Sequence, residues 1–321
     1  MSGYLTTNEN GEFTGTVIGL TTGQKVITAT FEGDDEYNRS TINKHITILD
    51  PTIELSLTSP TPIIETGGTS VITATLTRNG LPFVNQEISY EIKHGSTVID
   101  ADSDFTNNSG QITISYTGTG AGDINIIASF GSYAQKTLAV QDCIFYDDMS
   151  TNKLSQYTTK IGSLTSTYNN GYIEITSSNN NWNGLSPISI NSANDWSMEC
   201  EIESNSSLLN GVLLLIDSTN FISDTVYTNS YGYGSYDYPY SSSKPFLFTD
   251  SSVIYTAGDW YKFKLELKSN TLYYYLYDSN GVLLLSKTVT LPSRYQNNNL
   301  YFCPLVYGGT AQFKNVKIKA L

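Results

Sequence analysis

The chain has 321 residues, of which 39% are hydrophobic and only 15% charged, and its net charge is −13. This is the composition of a folded protein of two or three domains. With no basic face in any part of it, binding to a nucleic-acid backbone is excluded as a function. Thr, Ser, Asn, Gly and Tyr stand where a helical protein would place Ala, Glu and Lys, which favours strands and turns throughout.

The acidity is uneven. Residues 1–142 hold 16 acidic and 6 basic side chains, whereas residues 143–321 hold 14 and 11. "MSGYLTT" lacks the charged start and apolar run of a signal peptide. No stretch approaches the roughly 20 apolar residues of a membrane helix. The chain is therefore expected not to insert into a membrane, and any anchor lies elsewhere.

The first elements form a repeat. "TNENGEFTGTVIGLTTGQKVITATF", Thr7 to Phe31, aligns without a gap on "TNNSGQITISYTGTGAGDINIIASF", Thr106 to Phe130. Nine of 25 positions are identical, among them the glycine pairs Gly11/Gly110 and Gly23/Gly122. Turn glycines kept in register point to an internal repeat of about a hundred residues. In the second copy "SVITATLTRNGLPFVNQEISYEI" predicts two alternating strands around Asn79-Gly80. The first copy has no counterpart of residues 52–105. Half a sandwich cannot bury its inner face, so residues 1–49 are expected to be part of a larger array or to pair with another chain.

"ITATLTRNGLPFVNQEISYEI", "TNNSGQ" and "GDINIIASF" together resemble the bacterial immunoglobulin-like repeats of intimin- and invasin-type adhesins. The resemblance covers residues 1–141. It implies a partial immunoglobulin-like repeat over 1–49 and a complete immunoglobulin-like sandwich over 50–141, arranged as a stalk.

From Cys143 the texture changes: 19 of 24 tyrosines and all three tryptophans lie beyond it. "DWYKFKLELKSNTLYYYLYDSNGVLLLSKTVTL" predicts a meander of antiparallel strands, with Tyr261, Phe263, Leu265 and Leu267 facing a core. The order of "IFYDDMSTNKLSQYT", "NGYIEITS", "DWSMECEIES", the meander and "FKNVKIKAL" resembles the concanavalin A-like lectin/glucanase jelly roll over residues 142–321. The fold class expected is thus all-β: tandem immunoglobulin-like repeats, the first partial, followed by a jelly roll. That superfamily implies carbohydrate binding, or glycoside hydrolysis or lysis.

Three sets of residues carry candidate chemistry. Glu199, Glu201 and Glu203 share one strand face, as catalytic carboxylates do in jelly-roll glucanases. The middle residue is Glu rather than Asp and no Trp follows, so an outward polar face is the better expectation, and the chain is expected not to be an enzyme. Asp147 and Asp148 are the candidate ligands of a structural calcium, as in some relatives of the jelly-roll family, although two carboxylates fall short of the six to eight oxygens calcium takes. "DADSD", Asp100 to Asp104, lacks the Gly and Glu of a calcium loop and is expected to be a solvated acidic segment. The only histidines, His45 and His94, precede the jelly roll, which removes His-based catalysis and His-ligated zinc from it. Cys143, Cys200 and Cys303 cannot all pair, and buried free thiols are expected.

The third set is the tyrosine-rich stretch "TVYTNSYGYGSYDYPYSSSKPF", whose glycines and proline predict a loop in place of a helix or strand. Tyr227, Tyr231, Tyr233, Tyr236, Asp237, Tyr238 and Tyr240, with Trp182 in "SSNNNWNG", are the candidate ligand-binding residues. Tyr and Trp offer rigid amphipathic surface that stacks on sugars, while Asp, Asn and Ser bond hydroxyls. The competing expectation is that these rings plug one sheet. Taken together these features give a non-catalytic adhesin or receptor-binding protein at a cell surface or virion tail, meeting cell-surface carbohydrate or a cell-wall polymer. A hydrolase or lyase is one alternative, and an oligomerisation module, with the chain as a homo-oligomer, is the other.

Overall fold

The computed structural model describes residues 4–16, 21–204, 209–227, 233–238, 247–253 and 256–321. Among them the chain is all-β, with two single-turn 3-10 segments. No helix in them is long and apolar enough to cross a membrane.

The first unit is a hairpin of β1 (Gly23–Phe31) and β2 (Ser40–Ile48). It has no buried residue; Ile42 and Leu49 are 71% and 78% exposed. The repeat seen in the sequence is reproduced in the backbone. Strand β1 and its counterpart β10 (Gly122–Phe130) have the same bounds at an offset of 99 residues. The preceding turns match bond for bond. Asn8 Oδ1 accepts from Asn10 N–H and Glu12 N–H at 2.9 Å each, and Asn107 Oδ1 accepts from Ser109 N–H at 2.8 Å and Gln111 N–H at 3.1 Å. Gly11 and Gly110 close these turns with φ of 77° and 74°, a region that glycine enters without penalty.

Residues 53–143 form a sandwich of two sheets. One holds β3 (Ile53–Thr58), β5 (Thr69–Arg78), β6 (Leu81–Pro82) and β9 (Gln111–Thr117). The other runs β4 (Ile63–Glu65), β11 (Ala134–Cys143), β10, β7 (Glu87–His94), β8 (Thr97–Phe105). Alternation drives the pairing: Ile72, Ala74 and Leu76 of β5 meet Ile124, Ile126 and Ala128 of β10 in one core. Asp100, Asp102 and Asp104 lie along β8, an exposed edge strand, where charge discourages pairing with other chains.

A single residue, Ile144, separates β11 from β12 (Phe145–Asp147), and its N–H donates to Ile318 O at 2.8 Å. Lys317 donates to Gln141, Lys319 pairs with Asp123, and Lys153 with Glu65 across the same junction.

The C-terminal unit adds β13 (Thr158–Ile161), β14 (Thr165–Asn169), β15 (Tyr172–Ser186), β16 (Ser189–Asn191), β17 (Trp196–Ser204), β18 (Leu209–Asp217), β19 (Asn220–Tyr227), β20 (Tyr233–Tyr238), β21 (Phe248–Asp250), β22 (Trp260–Lys268), β23 (Thr271–Tyr277), β24 (Leu283–Thr290) and β25 (Asn299–Ala320). All belong to one curled sheet. The curl comes from β25, which changes layer along its 22 residues. Its first half pairs with β18, and its second half with β17. Between them Gly308 and Gly309 take φ of 72° and 78°, and β15 loses register over the same region, between Ser177 and Trp182. Strand β25 thus bends where glycine permits it, and β15 bends opposite it across a Ser/Asn segment that holds no glycine. The first layer is β21-β20-β19-β18-β25 followed by the end of β15, and the second is β25-β17-β22-β23-β24. Val212, Leu214, Phe302 and Val306 from the first pack on Met198, Cys200, Phe263 and Leu265 from the second.

Candidate functional site

The first layer is apolar on both faces. Val212 and Leu214 of β18 enter the main core, whereas Leu213 and Leu215, with Ile161, Phe221, Cys303 and Leu305, form a second cluster on the outer face. These six residues are themselves buried, and the half-buried Trp182 and Tyr301 pack over them, so the surface this face presents is aromatic.

Strand register arranges that face in rows. One row runs Gly184, Leu305, Gly211, Thr225, Gly234 across five neighbouring strands. Three missing side chains leave a trough between the flanking rows, and it is already filled: all five residues are buried, and a Cβ at Gly184 would meet Leu213 Cδ1 at 3.3 Å. On one side stand Trp182 and Tyr307, which are register partners. On the other stand Ser223 and Tyr236, also partners, and beyond them Phe221. The indole of Trp182 spans the trough. Its centre lies 5.1 Å from the Tyr307 ring, 5.7 Å from Phe221 and 6.3 Å from Tyr236. Trp182, Tyr236 and Tyr307 stay half-buried, so their rings retain contact with solvent.

Trp182 is held by its neighbour. Asn183 is fully buried; its Oδ1 accepts from Ser163 N–H at 2.8 Å and its Nδ2 donates to Ser177 Oγ at 2.8 Å. This brace crosses the bend in β15 and fixes the direction in which Trp182 leaves the strand. Ser223 Oγ is buried and has no hydrogen-bond partner among the described residues. A buried hydroxyl in that state is uncommon and costs roughly 1–3 kcal/mol. It lies on the trough's wall, which therefore carries both aromatic surface and unmatched polarity. Further along the face, Lys160 Nζ stands 4.1 Å from the centre of the Tyr301 ring.

The residues expected from sequence divide. Trp182 and Tyr236 come together on this face. Tyr233 does not join them: its alternation turns it into the main core, where it stacks on Phe248 at 5.7 Å and Phe263 at 6.3 Å. Asp237 also points away from the trough, pairing with Arg294 and accepting from Tyr295 O–H at 2.9 Å. Burial, with Asp237 beside it, pushes the Tyr295 hydroxyl far up from its ordinary range. Tyr227 and Tyr238 lie at the ends of β19 and β20 and are placed by backbone alone. Tyr231 and Tyr240 lie outside the described residues. Sequence reasoning missed Tyr307, Phe221, Tyr301 and Ser223. Their signal was the alternation in "FISDTV" and "LYFCPLVYG", which puts an aromatic or polar residue opposite each core residue.

The expected calcium ligands do not converge. Asp147 is fully buried, its oxygens accepting from Met149 N–H at 2.9 Å and Tyr157 O–H at 3.1 Å, and burial raises its pKa. Asp148 is exposed and caps Ser150 N–H at 2.9 Å. No cluster of three His, Cys, Asp or Glu suited to a metal exists among the described residues. This donor set does not fit calcium.

Glu199, Glu201 and Glu203 share the outer face of the second layer, while Met198, Cys200 and Ile202 fill the core. Lysines flank them from both neighbouring strands: Glu199 meets Lys317 at 2.9 Å and Lys262 at 3.8 Å, and Glu201 meets Lys314 at 3.6 Å. Burial pushes the Glu199 carboxyl up, but Lys317 and Lys262 outweigh it and hold it below the usual range. Glu203 is raised, by burial first. Cys143, Cys200 and Cys303 are free and buried.

No family model matches the chain, and no curated protein matches it. Several solved structures align with about half of it. The VIP36 exoplasmic/lumenal domain in its Ca2+/Man3GlcNAc-bound form is 9% identical, covering 53% of this chain and 85% of that one, with a TM-score of 0.40. Peanut lectin with a 9mer peptide is 10% identical, covering 55% and 96%, at 0.39. The CBM2 module of the Lactobacillus casei BL23 phage J-1 evolved Dit is 11% identical, covering 55% and 94%, at 0.40. At such identities and scores the likeness assigns neither a family nor a ligand to this chain.

Proposed function

We propose that residues 142–321 bind glycans, without turning them over, on the outer face of the first layer. The observation that carries this is the glycine trough of Gly184, Gly211 and Gly234, spanned by a half-buried Trp182 and walled by Tyr307 and Tyr236. An indole braced against a sheet with solvent on its other side offers a flat apolar platform, as a pyranose ring needs, and Tyr hydroxyls beside it meet sugar hydroxyls. In the acidic row on the second layer Glu199 and Glu201 are matched to lysines, which leaves Glu203 without a second free carboxylate on that row of the kind glycoside hydrolysis requires.

The remainder of the proposal concerns display. Residues 50–141 serve as an immunoglobulin-like unit and residues 1–49 as part of another, so that the C-terminal unit is presented as in an adhesin or a virion fibre. The matched turns at Asn8 and Asn107 and the one-residue junction at Ile144 support that arrangement.

A glycan array probed with the full chain tests the binding. Wild type is expected to retain a subset of glycans, and Trp182→Ala and Tyr307→Ala to lose at least tenfold in affinity, the scale of about 1.4 kcal/mol for a lost stacking surface. No binding by wild type, or equal binding by Trp182→Ala, overturns the proposal.

A further inference from the structure

Resting on the glycan-binding reading of the Trp182 face, we propose that the glycan is anionic, and that Lys160 receives a carboxylate or phosphate carried on one of its sugars. Bases are scarce in this chain, 17 against 30 acids, and the C-terminal unit pairs them consistently. Every other described Lys or Arg from residue 143 onward lies within ion-pair distance of a carboxylate: Lys264 and Lys268 grip Glu266, Lys287 holds Asp250, Arg294 holds Asp237, and the rest follow suit. Lys160 alone among them has no carboxylate partner.

Its placement is specific. Strand β13 is bulged between Thr159 and Ile161. A bulge re-aims a side chain, and here Ile161 enters the outer cluster while Lys160 stands over the Tyr301 ring at 4.1 Å. A protein of net charge −13 repels an anionic polymer, so an uncompensated ammonium on the aromatic face supplies the local attraction such a ligand needs. Tyr301, Leu215 and Phe221 are register partners in one row. Tyr301 and Phe221 are thus two strand spacings apart, about 10 Å, and the Phe221 ring touches Trp182. Leu215 and Phe221 are buried beneath Trp182 and Tyr301, so a short oligosaccharide stacked on Trp182 reaches Lys160 by passing over these two half-buried rings.

The test measures binding of the full chain to three immobilised probes: a galactan as the neutral glycan, oligogalacturonate for the carboxylate, and poly(ribitol phosphate) for the phosphate. Each is run at about 50 and about 200 mM salt, across which surface charge is progressively screened. Wild type is expected to favour one of the acidic probes by about fivefold over galactan, with that preference falling as salt rises. Lys160→Gln removes the preference and leaves neutral binding intact, and Lys160→Arg restores it; whichever acidic probe is favoured identifies the anion. An acid-to-neutral ratio unchanged in Lys160→Gln, or galactan bound best, overturns the role of Lys160 while glycan binding stands. Binding of none of the three by wild type, with none on the wider array, overturns both.

Discussion

Glu199 Oε1 stands 2.9 Å from Lys317 Nζ, one strand over, while Glu199 Oε2 faces Lys262 from the other side. A carboxylate so placed remains ionised, whereas a glycosidase's acid must hold its proton near neutral pH. Incubated with any glycan it binds, the chain is expected to release no new reducing ends, and Glu199→Gln to bind as wild type does. Reducing-end release that disappears in Glu199→Gln would restore the hydrolase reading.

Asn183 acts on Trp182 without touching the ligand. Asn183→Ala removes its bonds to the exposed Ser163 N–H and to the Ser177 hydroxyl, which is buried in the bend. The expected loss is roughly 2 kcal/mol of stability, read by denaturant unfolding followed through tryptophan fluorescence. Because the bend loses its brace, glycan affinity is expected to fall as well. Unchanged affinity at reduced stability would show that the bend sets the direction of Trp182 without Asn183.

The sequence made the strands and the repeat legible because both are local. The period-two run Tyr261 to Lys268 required no partner to be read, and Asn8 and Asn107 announced the same turn twice. The trough was not legible, since Gly184, Gly211 and Gly234 lie tens of residues apart and are joined only by register. Tyr density fell on β20, where the glycines and proline around it predict a loop and not a strand, and it did not show which rings turn outward. Tyr233 and Tyr236 differ by an odd number of residues, so one must face the core when the other faces out. Tyr307 was hidden by the bend at Gly308 and Gly309, which joins two strands of different layers into one run.

The twin turns give a paired prediction. An added Cβ at Gly110 would meet Leu76 O at 2.5 Å, whereas at Gly11 it meets nothing within 4 Å. Both positions have φ above 70°, so both alanine variants bear the conformational strain of about 1 kcal/mol. Only Gly110→Ala adds a backbone clash, and it is expected to cost roughly 2–4 kcal/mol in the 53–143 sandwich. Hydrogen exchange at β9 and β10 reads the difference. Equal protection in the two variants would mean that the turn at Asn107 yields without loss.

The three thiols are expected to be silent. Burial pushes Cys143 up to about 12 and raises Cys200 and Cys303 strongly, and a thiolate is the reactive form. Native protein is expected to take up no iodoacetamide at pH 8, and denatured protein three equivalents by intact mass. Labelling of native protein at any of the three would place that thiol within reach of solvent.

Asp142 sets a pH window for the sandwich. It is fully buried and accepts from Tyr116 O–H at 2.5 Å, Thr119 N–H at 2.8 Å and Gly120 N–H at 2.9 Å. Burial pushes its carboxyl up, but these donors outweigh burial and hold it below the usual range. A depressed carboxyl stabilises the fold fully above its unfolded value, about pH 4, and that contribution is lost as acid passes the lowered folded value. Tyr116 has the opposite sign. Burial, with Asp142 beside it, raises its hydroxyl to about 12, so its contribution is complete below the unfolded value near 10 and is lost as pH rises toward 12. Protection of the β9 and β10 amides, compared between wild type and variant at each pH, is therefore expected to differ most between about pH 5 and 9. The Asp142→Asn difference shrinks on the acid side and the Tyr116→Phe difference on the alkaline side. A variant difference that stays constant from pH 3 to pH 11 would mean that neither proton is linked to folding and that the pair acts by packing alone.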